Sequence, residues 1–338
     1  MARVLEKIDI GLMKPEEAEG VADLFRAFYG EEYPVKTFYD PEALIAENTE
    51  RKIISVVARN EAHKIVGHAA LYISSPYEKL YELGAILVHP ECQGRGIASA
   101  LISEVRNLAE ELKIAEGILA ESVCNHIHTQ KLFYRLGGFV ETAFEVDLMP
   151  AEAYDKSGAA KGRVSTIISF RKIEDTHRQV FVPARFKEQF EYIYRPLKEL
   201  RSLENAPCCA IPASGSKSSG KIQFFEFANT SRVTVFDIGE DFADYISGIE
   251  NDSRRKGGVI FQFWLPLDSP EIEHSVDILK KNGYFFGGVL PLWNNCDSFL
   301  MQKVENDTDW DSQHIFSERG KKIFKMVRSD AELESTRQ

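Results

Sequence analysis

No stretch of this 338-residue chain approaches the roughly 20 consecutive apolar residues that would cross a bilayer, so no membrane-spanning helix is expected. Basic charge is also short. Lysine and arginine total 41 against 52 aspartates and glutamates, a formal net charge of −11. That balance excludes broad nucleic-acid binding, which needs a basic footprint, and is compatible with a cationic ligand. Cysteine is sparse: five residues, an odd number with no metal-like spacing, two of them adjacent at Cys208 and Cys209. They read as free thiols in a reducing cytoplasm, with no metal site and no catalytic thiol expected. Met1-Ala2-Arg3-Val4-Leu5-Glu6 is charged too early for a secretory signal. A complete kinase-type P-loop is missing too. Gly215 to Lys221 has the glycine and lysine spacing, but Ile222 replaces the magnesium-binding Ser/Thr and a strand, not a helix, is expected to follow.

Apolar content of 44% and charged content of 28% suit a globular protein of about two domains. The densest signal lies at Ala85-Ile86-Leu87-Val88-His89-Pro90-Glu91-Cys92-Gln93-Gly94-Arg95-Gly96-Ile97-Ala98. An apolar strand enters a glycine loop that opens an amphipathic helix. Such a loop lets the backbone approach a ligand closely, and the helix mouth offers unpaired N–H groups and partial positive charge to a phosphate. The dinucleotide fingerprint G-x-G-x-x-G is only half present, because Ser99 stands at its third glycine. Downstream, Leu101, Val105, Leu108 and Leu112 recur at helical spacing. Gly117 to Val123 reads as a strand, His128 to Leu136 as a helix, and Gly137-Gly138-Phe139 as the turn into another strand.

Gln93-Gly94-Arg95-Gly96-Ile97-Ala98 resembles the acetyl-CoA loop, Gln/Arg-x-x-Gly-x-Gly/Ala, of the GNAT superfamily of N-acetyltransferases. Leu80 to Pro90 resembles the family's central strand, and Phe133-Tyr134-Arg135-Leu136-Gly137-Gly138-Phe139 the end of its acetyl-CoA core. The resemblance spans roughly Arg3 to Glu174. It implies an α/β (α+β) fold: a mixed, mostly antiparallel sheet flanked by helices, followed here by a second, partial GNAT-like domain. The expected order is a first strand near Leu5–Ile10, helices from Pro15 and Pro41, strands over Ile53–Ala58 and Ile65–Ile73, and a closing strand over Val164–Phe170 after a polar loop, Ala151–Gly162. The domain reading is 1–174 for the GNAT domain, 175–221 for a helix (Ala184–Leu200) and mobile linker, 222–305 for the degenerate copy and 306–338 for a tail with a short helix. In the copy, Phe236-Asp237-Ile238-Gly239-Glu240-Asp241 replaces the phosphate loop, and its carboxylates would repel pyrophosphate.

The resemblance implies a cytoplasmic, acetyl-CoA-dependent transferase acting on a small-molecule or peptide amine by direct attack. Glu82 would be the general base, unless it only makes a structural hydrogen bond or faces solvent. Tyr134 would be the general acid, unless it is a core aromatic. Leu87 and Val88 would meet the pantetheine arm, with a backbone N–H near Val88 as oxyanion donor. Gln93, Gly94, Arg95, Gly96, Ile97 and Ala98 would form the diphosphate cradle, Arg95 either adding charge or facing solvent. Asn125 would contact the pantetheine arm. Tyr29, Glu31, Glu32 and Tyr33 border the family's acceptor site; they either bind a cationic amine or form a solvated loop. His126 and His128 either touch substrate or lie on the surface at a helix start. Tyr29 to Glu42, Val182 to Phe186 and Leu290 to Gln302 resemble a bacterial subgroup sometimes fused to anti-sigma-type ATPase domains. That likeness keeps a second reading open: an acyl-CoA-binding regulatory module acting on a protein partner without turnover.

Overall fold

Proline and carboxylates start the first helices. In a computed structural model, which describes residues 7–31, 33, 35–151 and 162–336, the Lys14 amide donates to the Glu17 carboxylate at 2.7 Å, and Pro15 begins a 3-10 turn that leads into α1 (Ala18–Tyr29). Asp40 caps α2 (Pro41–Thr49), accepting from the amides of Glu42 and Ala43 at 3.1 Å each. The chain divides into two units, 1–121 and 122–338.

In the first unit the strands are β1 (Asp9–Leu12), β2 (Ile53–Arg59), β3 (Ile65–Tyr72), β4 (Leu80–Val88) and β5, whose full span is Gly117–Val123. They lie in that order in the sheet; β1 to β4 are antiparallel neighbours and β4 and β5 are parallel. α3 (Ile97–Leu112) crosses between β4 and β5 and lays Ile97, Leu101, Ile102, Val105 and Leu108 on the sheet. The first strand lies later than expected. It begins at Asp9, where pairing with Arg59 starts, while Leu5 and Glu6 lie outside the described residues.

The second unit holds α4 (His128–Leu136), β6 (Val140–Pro150), β7 (Arg163–Lys172), β8 (Arg178–Val182), α5 (Lys187–Tyr194) and β9 (Arg201–Asn205). There follow β10 (Ser219–Phe225), β11 (Thr230–Asp237), α6 (Phe242–Arg255), β12 (Ile260–Pro266), α7 (Ile272–Lys281), β13 (Phe285–Leu290), β14 (Ser298–Val304) and α8 (Glu318–Ser335). Its main sheet runs β7-β6-β13-β14-β12-β11-β10. The order β11–α6–β12–α7–β13–β14 repeats β4–α3–β5–α4–β6–β7. In each copy the first two strands are parallel and the last two antiparallel. The fold is therefore the mixed, mostly antiparallel sheet with flanking helices, with a second partial copy of the same pattern.

Three expectations fail locally. The helix Ala184–Leu200 shrinks to α5 between two 3-10 turns, because Pro196 removes an amide donor and disfavours helical backbone before it. The linker to Lys221 is partly strand, since β9 and β10 take both its ends. β9 is fastened by buried Arg201, which donates to Asp297 at 2.6 and 3.0 Å and to Asp175 at 2.5 Å. The tail carries the long helix α8, not a short one. Ser317 caps it, and Ile323, Val327 and Ala331 bury one face against β13 and β6. The loop expected over Ala151–Gly162 falls at 152–161 outside the described residues.

Candidate active site

β4 carries a one-residue bulge. Before it, Glu82 opposes Tyr72, Leu83 opposes Leu71 and Gly84 opposes Ala70; after it, Leu87 opposes His68 and Val88 opposes Gly67. Ala85, at the bulge, has φ +52°, a left-handed conformation that alanine rarely adopts. On the other edge of β4 the parallel ladder with β5 ends at Glu82↔Leu119, although β4 runs on to Val88. The two strands therefore part beside Ile86, Leu87 and Val88. The His89 amide donates to Val66 of β3 at 2.9 Å. Alternation along the strand turns the Val88 amide to the opposite edge, into the gap.

The chain then turns through Pro90–Cys92 into the glycine loop. Gly94 and Gly96 have φ +76° and +79°, and a Cβ on either would meet nothing within 4 Å. Open space and left-handed backbone together leave the amides of this loop approachable. The helical ladder begins only where the Ala100 amide reaches the Gly96 carbonyl at 3.1 Å, so the amides of Ile97, Ala98 and Ser99 have no helical acceptor. Gln93 Nε2 donates to the Val88 carbonyl at 3.1 Å and ties the loop to its strand. Arg95 is exposed, with Nη2 3.4 Å from the Glu91 carbonyl.

Glu82 is half-buried and accepts the Tyr72 hydroxyl at 2.5 Å. Gly84 permits this contact: a Cβ there would lie 2.6 Å from the Tyr72 oxygen. Burial, then the Glu82 charge, push the Tyr72 hydroxyl well above its usual range, so it remains a donor. Tyr29 and Tyr33 join an aromatic cluster with Phe25, Phe28 and Phe38. Tyr33 is 8% exposed, and burial lifts the Tyr29 hydroxyl to about 12. Glu31 faces solvent, 3.6 Å from Arg26; Glu32 lies outside the described residues.

In the second unit, Tyr134 on α4 is 60% exposed, its ring edge-on to Phe316 at 5.3 Å. It is not a core aromatic. Asn125 Oδ1 is buried without a hydrogen-bond partner. The rings of His126 and His128 lie 5.1 Å apart at the start of α4, with His128 exposed. Gln130, which no local pattern singles out, anchors this segment: its Nε2 donates to the carbonyls of Val123, His126 and His314, and its Oε1 accepts from the Phe316 amide. Among the described residues no cluster of three His, Cys, Asp or Glu side chains is placed to hold a metal, and no helix is long and apolar enough to cross a membrane.

The corresponding mouth of the second copy is filled by the chain itself. Glu240 accepts the Gly215 amide and Asp241 the Ser218 amide, each at 2.7 Å, and Ser218 Oγ accepts the Gly239 amide at 3.0 Å. A Cβ on Gly239 would lie 2.3 Å from the Lys217 carbonyl carbon. Deeper in, β11 and β12 part after Thr234↔Trp264. There Trp293 Nε1 donates to Thr234 at 2.9 Å while its ring stacks on Trp264 at 5.0 Å. The segment that imitates a P-loop is thus a plug, and β10 starts inside it at Ser219. Gly239→Val is expected to expel residues 215–218; faster amide exchange there, with β13 and β14 still protected, checks it.

His68 is fully buried, with Nδ1 2.9 Å from the Ala85 carbonyl. Burial depresses its pKa to about 4. The unfolded chain therefore takes up a proton near pH 6.5 that the folded chain refuses until about 4. Stability is full above pH 6.5 and falls by about 3 kcal/mol as pH drops to 4. Denaturant titrations across that window check this, and His68→Asn should flatten that part of the decline.

Residues 18–139 match the model of the acetyltransferase (GNAT) family. Over that segment the chain is similar to this family. Solved structures similar to part of the chain include the ribosomal-protein-S5-alanine acetyltransferase of Vibrio fischeri, at 17% identity and TM-score 0.41, covering 51% of this chain and 96% of that one. Another is the spermidine N-acetyltransferase of Vibrio cholerae in complex with CoA and spermine, at 15% identity and TM-score 0.39, covering 49% and 95%. No curated protein matches the chain.

Proposed function

We propose that the chain is an acetyl-CoA-dependent N-acetyltransferase acting on a primary amine of a small molecule or peptide. The observation that carries this reading is the continuity of the parted β4 edge with the open glycine loop, a strand–loop–helix unit that would offer an oxyanion donor and a diphosphate site together. Acetyl-CoA would supply the activated acyl group as a thioester. The amides of Gly94 to Ala98 hold the diphosphate, with Gln93 bracing the loop and Arg95 adding charge from the solvent side. Leu87 and Val88 border the pantetheine arm, and the Val88 amide stabilises the developing oxyanion. Asn125, with its unpartnered oxygen, suits an amide N–H of that arm.

Glu82 takes the proton of the attacking amine, directly or through water, and Tyr72 orients the carboxylate. Tyr134, whose side chain is exposed, protonates the leaving thiolate. Tyr29, Tyr33 and Glu31, with Glu32, remain the proposed border of the acceptor site. Five free cysteines agree with a cytoplasmic setting. The test is thiol release from acetyl-CoA across a panel of amines, run beside CoA calorimetry. Release with at least one amine, reduced in Tyr134→Phe, supports the reading. CoA binding with no release from any amine favours a regulatory acyl-CoA-binding module instead.

A further inference from the structure

We infer that His68 is a positioning residue for acyl transfer: its imidazole fixes the Ala85 carbonyl and so sets which backbone amide of β4 faces the gap beside β5. This inference rests on the acetyltransferase reading.

The contact assigns the tautomer. A carbonyl only accepts, so the Nδ1 that lies 2.9 Å from Ala85 O carries the proton. The other nitrogen, Nε2, is buried without a partner, and the ring stands edge-on to Phe25 and Phe38 at 5.4 and 5.3 Å. An orphan acceptor in an aromatic wall is a cost that leucine would not carry. What the imidazole supplies and leucine lacks is the donor to Ala85.

Ala85 needs that donor. Its φ of +52° is strained for a residue with a Cβ. The strain creates the bulge that puts Ala85 and Ile86 opposite Ala69 alone. Without the extra residue, everything after Gly84 would shift by one position, and every amide would change edge. The Val88 amide would turn back to β3, and Leu87 would take its place in the gap. The bulge thus fixes the phase between Glu82, before it, and the proposed oxyanion donor, after it. His68 touches neither the proposed thioester nor the amine.

The experiment compares His68→Leu, which removes the donor, with His68→Asn, whose amide nitrogen can occupy the Nδ1 position. Three readouts are taken: kcat and KM for thiol release, the CoA dissociation constant, and amide exchange from Ala85 to Val88. His68→Leu is expected to lower kcat about 100-fold, to leave CoA affinity within about threefold because the glycine cradle is untouched, and to speed exchange at the bulge. His68→Asn should restore kcat to within about tenfold and restore the exchange pattern. Unchanged bulge exchange in His68→Leu overturns the inference, as does an Asn variant indistinguishable from Leu. If the wild-type chain turns over no amine, the transferase reading fails, while exchange still shows whether His68 holds the bulge.

Discussion

Glu82→Gln should lower kcat by about 10²- to 10⁴-fold with little change in CoA affinity. An amine attacks only as the free base, and most amines are protonated near neutral pH. Glu82 is the carboxylate of β4, half-buried at the rung where the ladder with β5 ends. Tyr72 holds it through a hydrogen bond made possible by the missing Cβ of Gly84. Glutamine keeps the size and can still accept from Tyr72, so the fold should not suffer. What it loses is the ability to take a proton. Steady-state kinetics at saturating amine, repeated at high pH, check the assignment. The deficit should shrink as the amine deprotonates in solution. An equal deficit at every pH would remove Glu82 from the proton path.

Gly96→Val should weaken CoA binding by about 100-fold or more. Two effects add. At φ +79° a β-branched residue is strained by about 1–2 kcal/mol, and relief of that strain rotates the first turn of α3. The new side chain also occupies the open space in front of the amides of Ile97 and Ala98, where the diphosphate would sit. A loss of 2.7 kcal/mol is about 100-fold in affinity. Because the added Cβ would meet no atom within 4 Å beyond its own chain neighbours, the melting temperature should fall only by the strain. Binding and stability therefore separate in this variant. Gly94→Val should behave in the same direction, and Arg95→Ala should cost far less, since its side chain is exposed.

The strand–glycine loop–helix unit was legible in the sequence because its determinants are local. Two glycines, an apolar strand before them and helical spacing after them act within a dozen residues. The bulge was not legible, because nothing in Ala85 announces a positive φ; register between β3 and β4 and the buried His68 impose it. α8 was underestimated for a related reason. Glu318 to Ser335 is dominated by charged residues, and its burial depends on distant partners, such as Asp330 accepting the Phe286 amide and the Lys280 ammonium. β8 and β9 are short strands whose parallel pairing becomes visible only with Asp175, Arg201 and Asp297 together. The Ser- and Gly-rich segment before β10 reads as a mobile linker by composition. Its order comes from Glu240 and Asp241, more than 20 residues away. Those carboxylates were expected to repel phosphate, and they are found holding backbone amides of the chain itself.

Isothermal titration with CoA decides whether the loop before α3 is a diphosphate site. Among the described residues, one copy of the fold pattern opens its helix from a glycine loop with free space before it, while the mouth of the other is plugged by residues 215–218 and Trp293. One CoA should bind per chain, and binding should be lost in Gly96→Val while Gly239→Val keeps it at the same stoichiometry. No heat of binding from the unaltered chain, or full binding by the Gly96→Val chain, would contradict the account.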